Sequence, residues 1–262
     1  MVRLLLAVAA CASALRNPPP SGNSSAEPFV LHEKDEGSHG LDNLFLGVES
    51  ARREWSEKLA DSDKRNVPEE PYMSQTAREL LYKLLARATT YQEFGSGGST
   101  VVALHHDNIQ HVHSVESDPD WVKELESRSD VASAISTKRM KMVYADVGPV
   151  GEFGHPKDDS GRARWPDYSG LAGESEHKFD LVLVDGRFRV ACALKALRRI
   201  TPDRINETLI LIHDYRGRPY HGVEQFMDKI DEAGCLAVFQ KKPYVDPAEL
   251  QSCISSFEFN MY

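Results

Sequence analysis

The sequence predicts an open α/β fold in which helices cover both faces of a mostly parallel sheet. Two apolar runs, residues 181–184 and 209–212, are continuous rather than alternating, as expected for strands buried on both faces of a parallel sheet. From residue 90 onward, short strand-like segments alternate with longer helical ones, which is the order of a doubly wound sheet. The 262 residues, 41% of them hydrophobic, suffice for one large core.

The first 40 residues differ in composition from the rest. Residues 1–14 carry Arg3, an uncharged apolar run and a final Ala-Ser-Ala, the pattern of a secretory signal peptide. Residues 15–40 include a stretch rich in Pro, Ser and Asn, which predicts a disordered linker. We therefore expect entry into the secretory pathway or an organelle lumen, with a cytoplasmic protein as the alternative. Beyond residue 20 no apolar stretch reaches the roughly 20 residues of a transmembrane helix.

The expected domain spans residues 41–262. Two amphipathic helices form its predicted helical cover, residues 41–88, the first of them over residues 41–59. The second begins near Ser74, with Thr76 and Glu79 spaced as a capping box. Its apolar face carries Leu80, Leu81, Leu84, Leu85 and Ala88.

The predicted α/β core spans residues 89–262. Its strands cover residues 90–94, 112–116, 141–145, 181–184, 209–212 and 236–239. Helical segments begin at Thr100, Pro119, Val190 and Pro219. Residues 147–178 lack periodicity, and a loop this long is more often functional than idle, so we expect Trp165, Pro166 and Tyr168 to close over a ligand. Ligands of such folds lie at the carboxyl ends of the strands.

A glycine-rich loop, Glu93-Phe94-Gly95-Ser96-Gly97-Gly98-Ser99-Thr100, joins the first strand to its helix. Glycines there let the backbone approach a ligand, and helix N–H groups point at it. A dinucleotide fingerprint, G-x-G-x-x-G, requires glycine where this chain has Thr100. A nucleotide-dependent oxidoreductase is therefore the less favoured enzyme class.

Acidic residues follow four predicted strands. Glu116 ends the second strand, 21 residues after Gly95, where a carboxylate can accept the hydroxyl groups of a ribose. Asp146 follows the third strand, Asp185 the fourth and His213-Asp214 the fifth. Each acid alone could be a helix cap, but the ends of parallel strands meet at one edge, so together they predict a site.

These residues resemble the class I S-adenosylmethionine-dependent methyltransferases, from Ser74 to about Gln240. The resemblance implies a Rossmann-like fold and S-adenosylmethionine as the cofactor. It assigns the methionine part of the cofactor to the glycine loop, the ribose to Glu116 and the adenine amine to Asp146. The loop residues assigned to the cofactor in this way are Glu93, Gly95, Gly97, Gly98 and Ser99.

A narrower resemblance concerns a metal. Val184-Asp185-Gly186 followed by His213-Asp214-Tyr215 is similar to metal-dependent small-molecule O-methyltransferases, in which an Asp-Gly and an Asp-Asp pair ligate magnesium. Here His213 replaces one acid, and an imidazole is a poorer ligand than a carboxylate for a hard cation. Magnesium held by Asp185 and Asp214 is therefore an alternative to a metal-independent site.

Candidate catalytic bases lie at the same edge: His213, Asp185 and His221. His213 is the first choice because an imidazole titrates near neutrality. The sequence predicts methyl transfer to a small acceptor, at oxygen. A non-catalytic cofactor-binding protein of the same fold is the alternative.

The net charge of the chain limits the classes of partner that we expect it to bind. Lys and Arg number 31 against 40 Asp and Glu, a net charge of −9, so nucleic acid is not expected as a partner. Four arginines nevertheless cluster after the fourth and fifth strands: Arg187, Arg189, Arg216 and Arg218. They are either surface charge or a binding site for an anionic acceptor.

Overall fold

The computed structural model of the protein describes residues 66–171, 175 and 177–261. The predicted signal peptide (1–14), the predicted linker (15–40) and the first cover helix (41–59) lie outside the described residues and remain sequence predictions. No helix in the described part of the chain is long and apolar enough to cross a membrane.

The described residues form a seven-stranded sheet with the strand order β3-β2-β1-β4-β5-β7-β6. Strands β1 to β5 run parallel, and β7 is antiparallel to both β5 and β6. This confirms the predicted open and mostly parallel α/β sheet. The strands are β1 (Thr90–Phe94), β2 (His111–Glu116), β3 (Met140–Tyr144), β4 (Leu181–Val184), β5 (Leu209–Ile212), β6 (Met227–Ala233) and β7 (Leu236–Lys241).

Helices cover both faces of the sheet. Those described are α1 (Gln75–Leu85), α2 (Gly98–Leu104), α3 (Pro119–Ser127), α4 (Ser129–Ser136), α5 (Trp165–Gly170), α6 (Arg189–Arg199) and α7 (Pro247–Phe257). Short 3₁₀ turns lie at Glu152–Gly154, Asp159–Arg164, Pro202–Arg204 and His221–Gln225.

Two apolar cores, one on each face, explain the continuous apolar runs. In β4, Leu181 and Leu183 point into the core beneath α1, whereas Val182 and Val184 point into the core shared with α5, α6 and α7. Successive side chains of a strand face opposite sides of the sheet. A strand with a core on each side therefore needs apolar residues at every position.

The second predicted cover helix exists, but its start differs from the predicted capping box. Ser74 is the N-cap, and its Oγ accepts a hydrogen bond from the Ala77 backbone N–H at 3.3 Å. Thr76 lies inside the helix, and Glu79 accepts a hydrogen bond from the Gln75 side chain at 2.9 Å. The box is therefore displaced by the earlier Ser74, whose hydroxyl reaches the first free backbone donors.

The helix predicted from Pro219 is wrong. A single 3₁₀ turn, His221–Gln225, is followed by strand β6. This strand is the edge of the sheet, and its charged residues Asp228, Lys229 and Asp231 are exposed. Charges are common on edge strands because they discourage pairing with other chains. Without a buried face, the strand lacks the alternation that would have revealed it.

The segment 147–178 contains 3₁₀ turns and α5 rather than an open loop. Trp165 is completely buried and donates from Nε1 to the Val147 carbonyl at 3.0 Å. Tyr168 packs against Phe94 and Phe188 in the core. The expectation that these two aromatic side chains close over a ligand is therefore wrong, because both stabilise the core.

Candidate active site

The glycine loop is pressed against the loop after β4 at one point and open at another. Gly95 has φ +88°, and a Cβ there would lie 2.7 Å from the Gly186 Cα. A Cβ on Gly98 would lie 2.2 Å from the Glu70 carbonyl oxygen. A Cβ on Gly97, by contrast, would meet only the Trp121 ring, at 4.0 Å. Gly97 is therefore the point at which a ligand can approach the backbone.

The buried side chain of Glu93 fixes the conformation of the glycine loop. Its completely buried carboxylate accepts hydrogen bonds from the hydroxyls of Tyr91 at 2.9 Å, Ser99 at 2.7 Å and Ser114 at 2.7 Å, and from Thr100. Burial raises the pKa of Glu93, and the hydroxyl donors oppose this rise. With no exposed surface, Glu93 can act on the cofactor only through the loop that it holds in place.

Two further side chains fix the loop. Thr100 accepts a hydrogen bond from the Gly97 backbone N–H at 2.9 Å, so the residue that breaks the dinucleotide fingerprint closes the turn. Trp121 in α3 donates from Nε1 to the Ser96 carbonyl at 2.9 Å. Sequence reasoning missed Trp121. Its position in the first turn of α3, after the N-cap Asp118, is a signal that could have placed it beside the loop.

Glu116 at the end of β2 is buried and accepts backbone hydrogen bonds. The donors are the N–H groups of Ser96 at 3.0 Å, Ser117 at 2.6 Å and Asp118 at 2.9 Å. Burial raises the pKa of Glu116, and these backbone bonds oppose the rise. Among the described residues, Oε2 accepts a hydrogen bond from the Ser96 N–H alone, and a carboxylate oxygen can accept two hydrogen bonds. One acceptor position of Glu116 is therefore free for a hydroxyl group.

Asp146, after β3, is half-exposed. It accepts a hydrogen bond from the Gly148 N–H at 2.9 Å and pairs with Arg164 at 3.2 Å. The Gly148 bond and then the Arg164 charge lower the pKa of Asp146. The carboxylate predicted to meet an adenine amine is therefore accessible but not without a partner.

A hydrogen-bonded pair joins the ends of β4 and β5. The His213 Nδ1 lies 2.9 Å from the Asp185 Oδ1. A carboxylate only accepts hydrogen bonds, so Nδ1 carries a proton, and in the neutral imidazole the lone pair is on Nε2. Burial lowers the pKa of His213, but the negative charges of Asp185 and Asp214 outweigh burial, so this pKa lies above its ordinary value.

Arg189, the first residue of α6, lies between the two acids. Its Nη2 lies 3.2 Å from the Asp185 Oδ1 and 3.4 Å from the Asp214 Oδ2, and its side chain is 6% exposed. Burial raises the pKa of the Asp185 carboxyl, but His213 and Arg189 outweigh burial, so this pKa lies below its ordinary value.

The structure brings the predicted metal ligands together but gives them another partner. One ligand atom each of Asp185, His213 and Asp214 lies within 4.8 Å of the others. Both carboxylates, however, already contact the Arg189 guanidinium. A divalent cation held by the same oxygens would be a close neighbour of that positive charge. The residues as arranged therefore do not fit magnesium.

The remaining candidates lie in different surroundings. His221 is 70% exposed and contacts Glu224 and the Tyr215 hydroxyl, each at 3.3 Å. These contacts, within the described part of the chain, do not join it to the Asp185–His213 pair. Arg216 is 71% exposed and pairs with Glu232. The Arg187 Nε, by contrast, is buried and has no hydrogen-bond partner among the described residues.

Solved structures of methyltransferases share this architecture. A methyltransferase-like protein from Silicibacter pomeroyi is 32% identical, and the match covers 74% of this chain and 100% of that one, with a TM-score of 0.60. An O-methyltransferase from Bacillus cereus in complex with SAH is 14% identical, with 80% and 93% coverage and a TM-score of 0.43. A methyltransferase from Geobacter sulfurreducens is 15% identical, with 82% and 93% coverage and a TM-score of 0.40. No family model and no curated protein matches the chain.

The 32% identity extends over the whole of the Silicibacter pomeroyi protein. The chain therefore belongs to the class I S-adenosylmethionine-dependent methyltransferases. This confirms the fold and the enzyme class predicted from the glycine loop and the strand-end acids, and it confirms methyl transfer as the class of reaction.

Proposed function

We propose that this methyltransferase transfers a methyl group to an oxygen atom of a small anionic acceptor, with His213 as the general base. The observation that carries this proposal is the 2.9 Å hydrogen bond between the His213 Nδ1 and Asp185. It directs the basic Nε2 away from the carboxylate, at the carboxyl edge of the parallel strands where ligands of such folds bind.

The cofactor side of the edge fits S-adenosylmethionine. The open backbone at Gly97 would accommodate the methionine part, the remaining acceptor position of Glu116 would take one ribose hydroxyl, and the half-exposed Asp146 carboxylate would meet the adenine amine. When bound, the cofactor supplies an activated methyl group on a sulfonium. Such a displacement depends mainly on holding the two reactants in line.

The acceptor side supplies the proton chemistry. A hydroxyl acceptor must lose its proton as its oxygen takes the methyl group, and the His213 Nε2 accepts that proton. The Asp185 carboxylate stabilises the imidazolium that forms and fixes the ring orientation, a role in which a buried acid supports a base. General-base assistance of this kind contributes about 10²- to 10⁴-fold to the rate.

Arg187 supports an anionic acceptor. Its Nε is buried without a hydrogen-bond partner in the described part of the chain, and burial followed by the nearby Arg189 charge lowers its pKa. A carboxylate, sulfate or phosphate on the acceptor would satisfy this guanidinium in two-point geometry. The positive charge of Arg187 would also offset, at this site, the repulsion of an anion expected from a chain of net charge −9.

Acceptor screening tests the proposal. Radiolabelled methyl transfer would be measured with carboxylated, sulfated and phosphorylated hydroxyl compounds, their neutral analogues and their amine counterparts. We expect turnover of anionic hydroxyl acceptors, and a lower kcat/KM for Arg187→Lys, because lysine keeps the charge but loses the planar fork. Best turnover of neutral acceptors with an unchanged Arg187→Lys would refute the anionic acceptor. Preference for amines would refute the oxygen acceptor.

A further inference from the structure

We propose that Arg189 is the resident cation of this active site, taking the place that a divalent metal would occupy between Asp185 and Asp214. The catalytic consequence, metal-independent methyl transfer with Arg189 as a positioning residue for Asp185, rests on the proposed function. The placement of the cation does not.

Each nitrogen of the Arg189 guanidinium contacts an acceptor. Nη2 contacts both carboxylates and the Asp185 carbonyl, Nε donates to the Gly186 carbonyl at 3.0 Å, and Nη1 donates to the His213 carbonyl. Each nitrogen therefore has an acceptor, as a buried arginine requires. The side chain ties the loop after β4 to the loop after β5.

Helix stability does not explain an arginine at this position. Arg189 is the first residue of α6, and the N-cap Phe188 has φ +54° and makes no side-chain cap. The start of a helix carries a partial positive charge, so a cation there is unfavourable. Burial of the guanidinium adds a desolvation penalty. The two carboxylates compensate for the unfavourable helix dipole and for the desolvation penalty. The contacts with these acids therefore explain the arginine at this position.

The same contacts orient the catalytic pair. The Asp185 Oδ1 receives both the His213 Nδ1 at 2.9 Å and the Arg189 Nη2 at 3.2 Å. Arg189 thus fixes the position of the Asp185 carboxylate, which in turn fixes the orientation of the His213 imidazole. It touches neither Nε2 of His213 nor, in the proposed arrangement, the acceptor, so it acts through Asp185.

Manganese titration of the full chain tests the inference, with Mn²⁺ alone as the probe and free Mn²⁺ followed by electron paramagnetic resonance after EDTA treatment. We expect no stoichiometric site in the wild type. In Arg189→Met the two acids lose their cation, and we expect Mn²⁺ to bind one per chain, about a hundredfold or more tighter than to the wild type. A further Asp214→Asn substitution should abolish that site.

Arg189→Lys is the matched control. It keeps a positive charge near the acids, so we expect it to exclude Mn²⁺ as the wild type does. If Arg189 had only a structural role, we would not expect Arg189→Lys to exclude Mn²⁺ while Arg189→Met binds it. Circular dichroism reports whether each variant is folded.

A stoichiometric Mn²⁺ site in the wild type that is lost in Asp214→Asn would overturn the inference, and this measurement needs no folded Arg189 variant. A folded Arg189→Met that binds no Mn²⁺ would overturn it as well. Neither result depends on an acceptor or on turnover, so failure of the proposed function and failure of this inference are distinguishable.

Discussion

In the proposed site, the buried carboxylates of the cofactor half and the partly buried carboxylates of the acceptor half have opposite kinds of partners. On the cofactor half, Glu93 and Glu116 accept hydrogen bonds from hydroxyls and backbone N–H groups, all uncharged. On the acceptor half, Asp185 and Asp214 meet the guanidinium of Arg189 and the imidazole of His213. Glu116 ends β2, Asp185 and Asp214 come after β4 and β5, and Glu93 is the last residue but one of β1 in the same sheet.

The difference appears in their pKa values. Burial dominates for Glu93 and Glu116, whose pKa values are raised. For Asp185, the charges of His213 and Arg189 outweigh burial, and the pKa is lowered. Uncharged hydrogen-bond donors can fix the conformation of a loop without adding charge. Ion pairs, by contrast, keep acidic and basic groups in their charged forms, which proton transfer uses. The Glu93 and Glu116 carboxylates thus fix the conformation of the loop, whereas the Asp185 carboxylate is held in its charged form. Asp146 differs from Glu93 and Glu116, because it pairs with Arg164 and its pKa is lowered.

The contact between the halves is the point at which a substitution should do most damage. Gly95→Val adds a side chain 2.7 Å from the Gly186 backbone at a residue with φ +88°. We expect loss of cofactor binding and a large fall in thermal stability, because a β-branched residue is strained at positive φ. Thermal melts and calorimetry with S-adenosylmethionine would show both effects.

Gly97→Ala is the control for that substitution, since a Cβ there meets nothing closer than 4.0 Å. We expect it to fold normally and to weaken only cofactor binding. Wild-type binding by Gly95→Val would show that the two halves do not depend on this contact.

His213→Asn removes the proposed base from the acceptor half. We expect kcat to fall about 10²- to 10⁴-fold, with the affinity for S-adenosylmethionine unchanged, because the cofactor half is intact. His221→Asn serves as the matched control, since its side chain is 70% exposed and paired with Glu224. Equal losses in the two variants would argue against His213 as the base.

Glu116→Ala tests the cofactor half in the same way. We expect S-adenosylmethionine binding to weaken by about 1.5–3 kcal/mol, roughly ten- to a hundredfold in Kd. The variant loses the acceptor for a ribose hydroxyl and also the partner of three backbone N–H groups. At saturating cofactor, kcat should change little. Unaltered affinity in calorimetry, with the variant folded, would remove Glu116 from the ribose site.

The pH profile should show the smallest effect. The neutral form of His213 is the active base, so the rate rises as pH increases through its pKa, which lies above the ordinary value. Asp185→Asn removes a negative charge that raises this pKa and leaves burial, which lowers it. We therefore expect the acid limb of kcat/KM to move to lower pH in Asp185→Asn. An unmoved limb would mean that Asp185 does not set the protonation of the base.

Sequence reasoning predicted much of the fold because its signals are local. Strands β1, β4 and β5 have the predicted bounds, and α3 begins at the predicted Pro119. Two-sided burial imposes apolar residues at every position of a central strand. The charged edge strand β6 carries no such requirement, so its formation depends on pairing with β7 and not on its own pattern.

The sequence by itself determined that acids follow the strands of one sheet, and this placed Glu116, Asp146, Asp185 and Asp214 at a common edge. Only the tertiary structure decided which partner each acid has. Arg187 and Arg189 are two residues apart, yet Arg187 has a buried Nε without a partner among the described residues, whereas Arg189 bridges two carboxylates. The left-handed Phe188 between them, φ +54°, turns the chain into α6. Side-chain direction follows the backbone. Asp185 lies four residues before Arg189, but Asp214 and the His213 carbonyl come from the end of β5, so the bridge could not be predicted from local pattern.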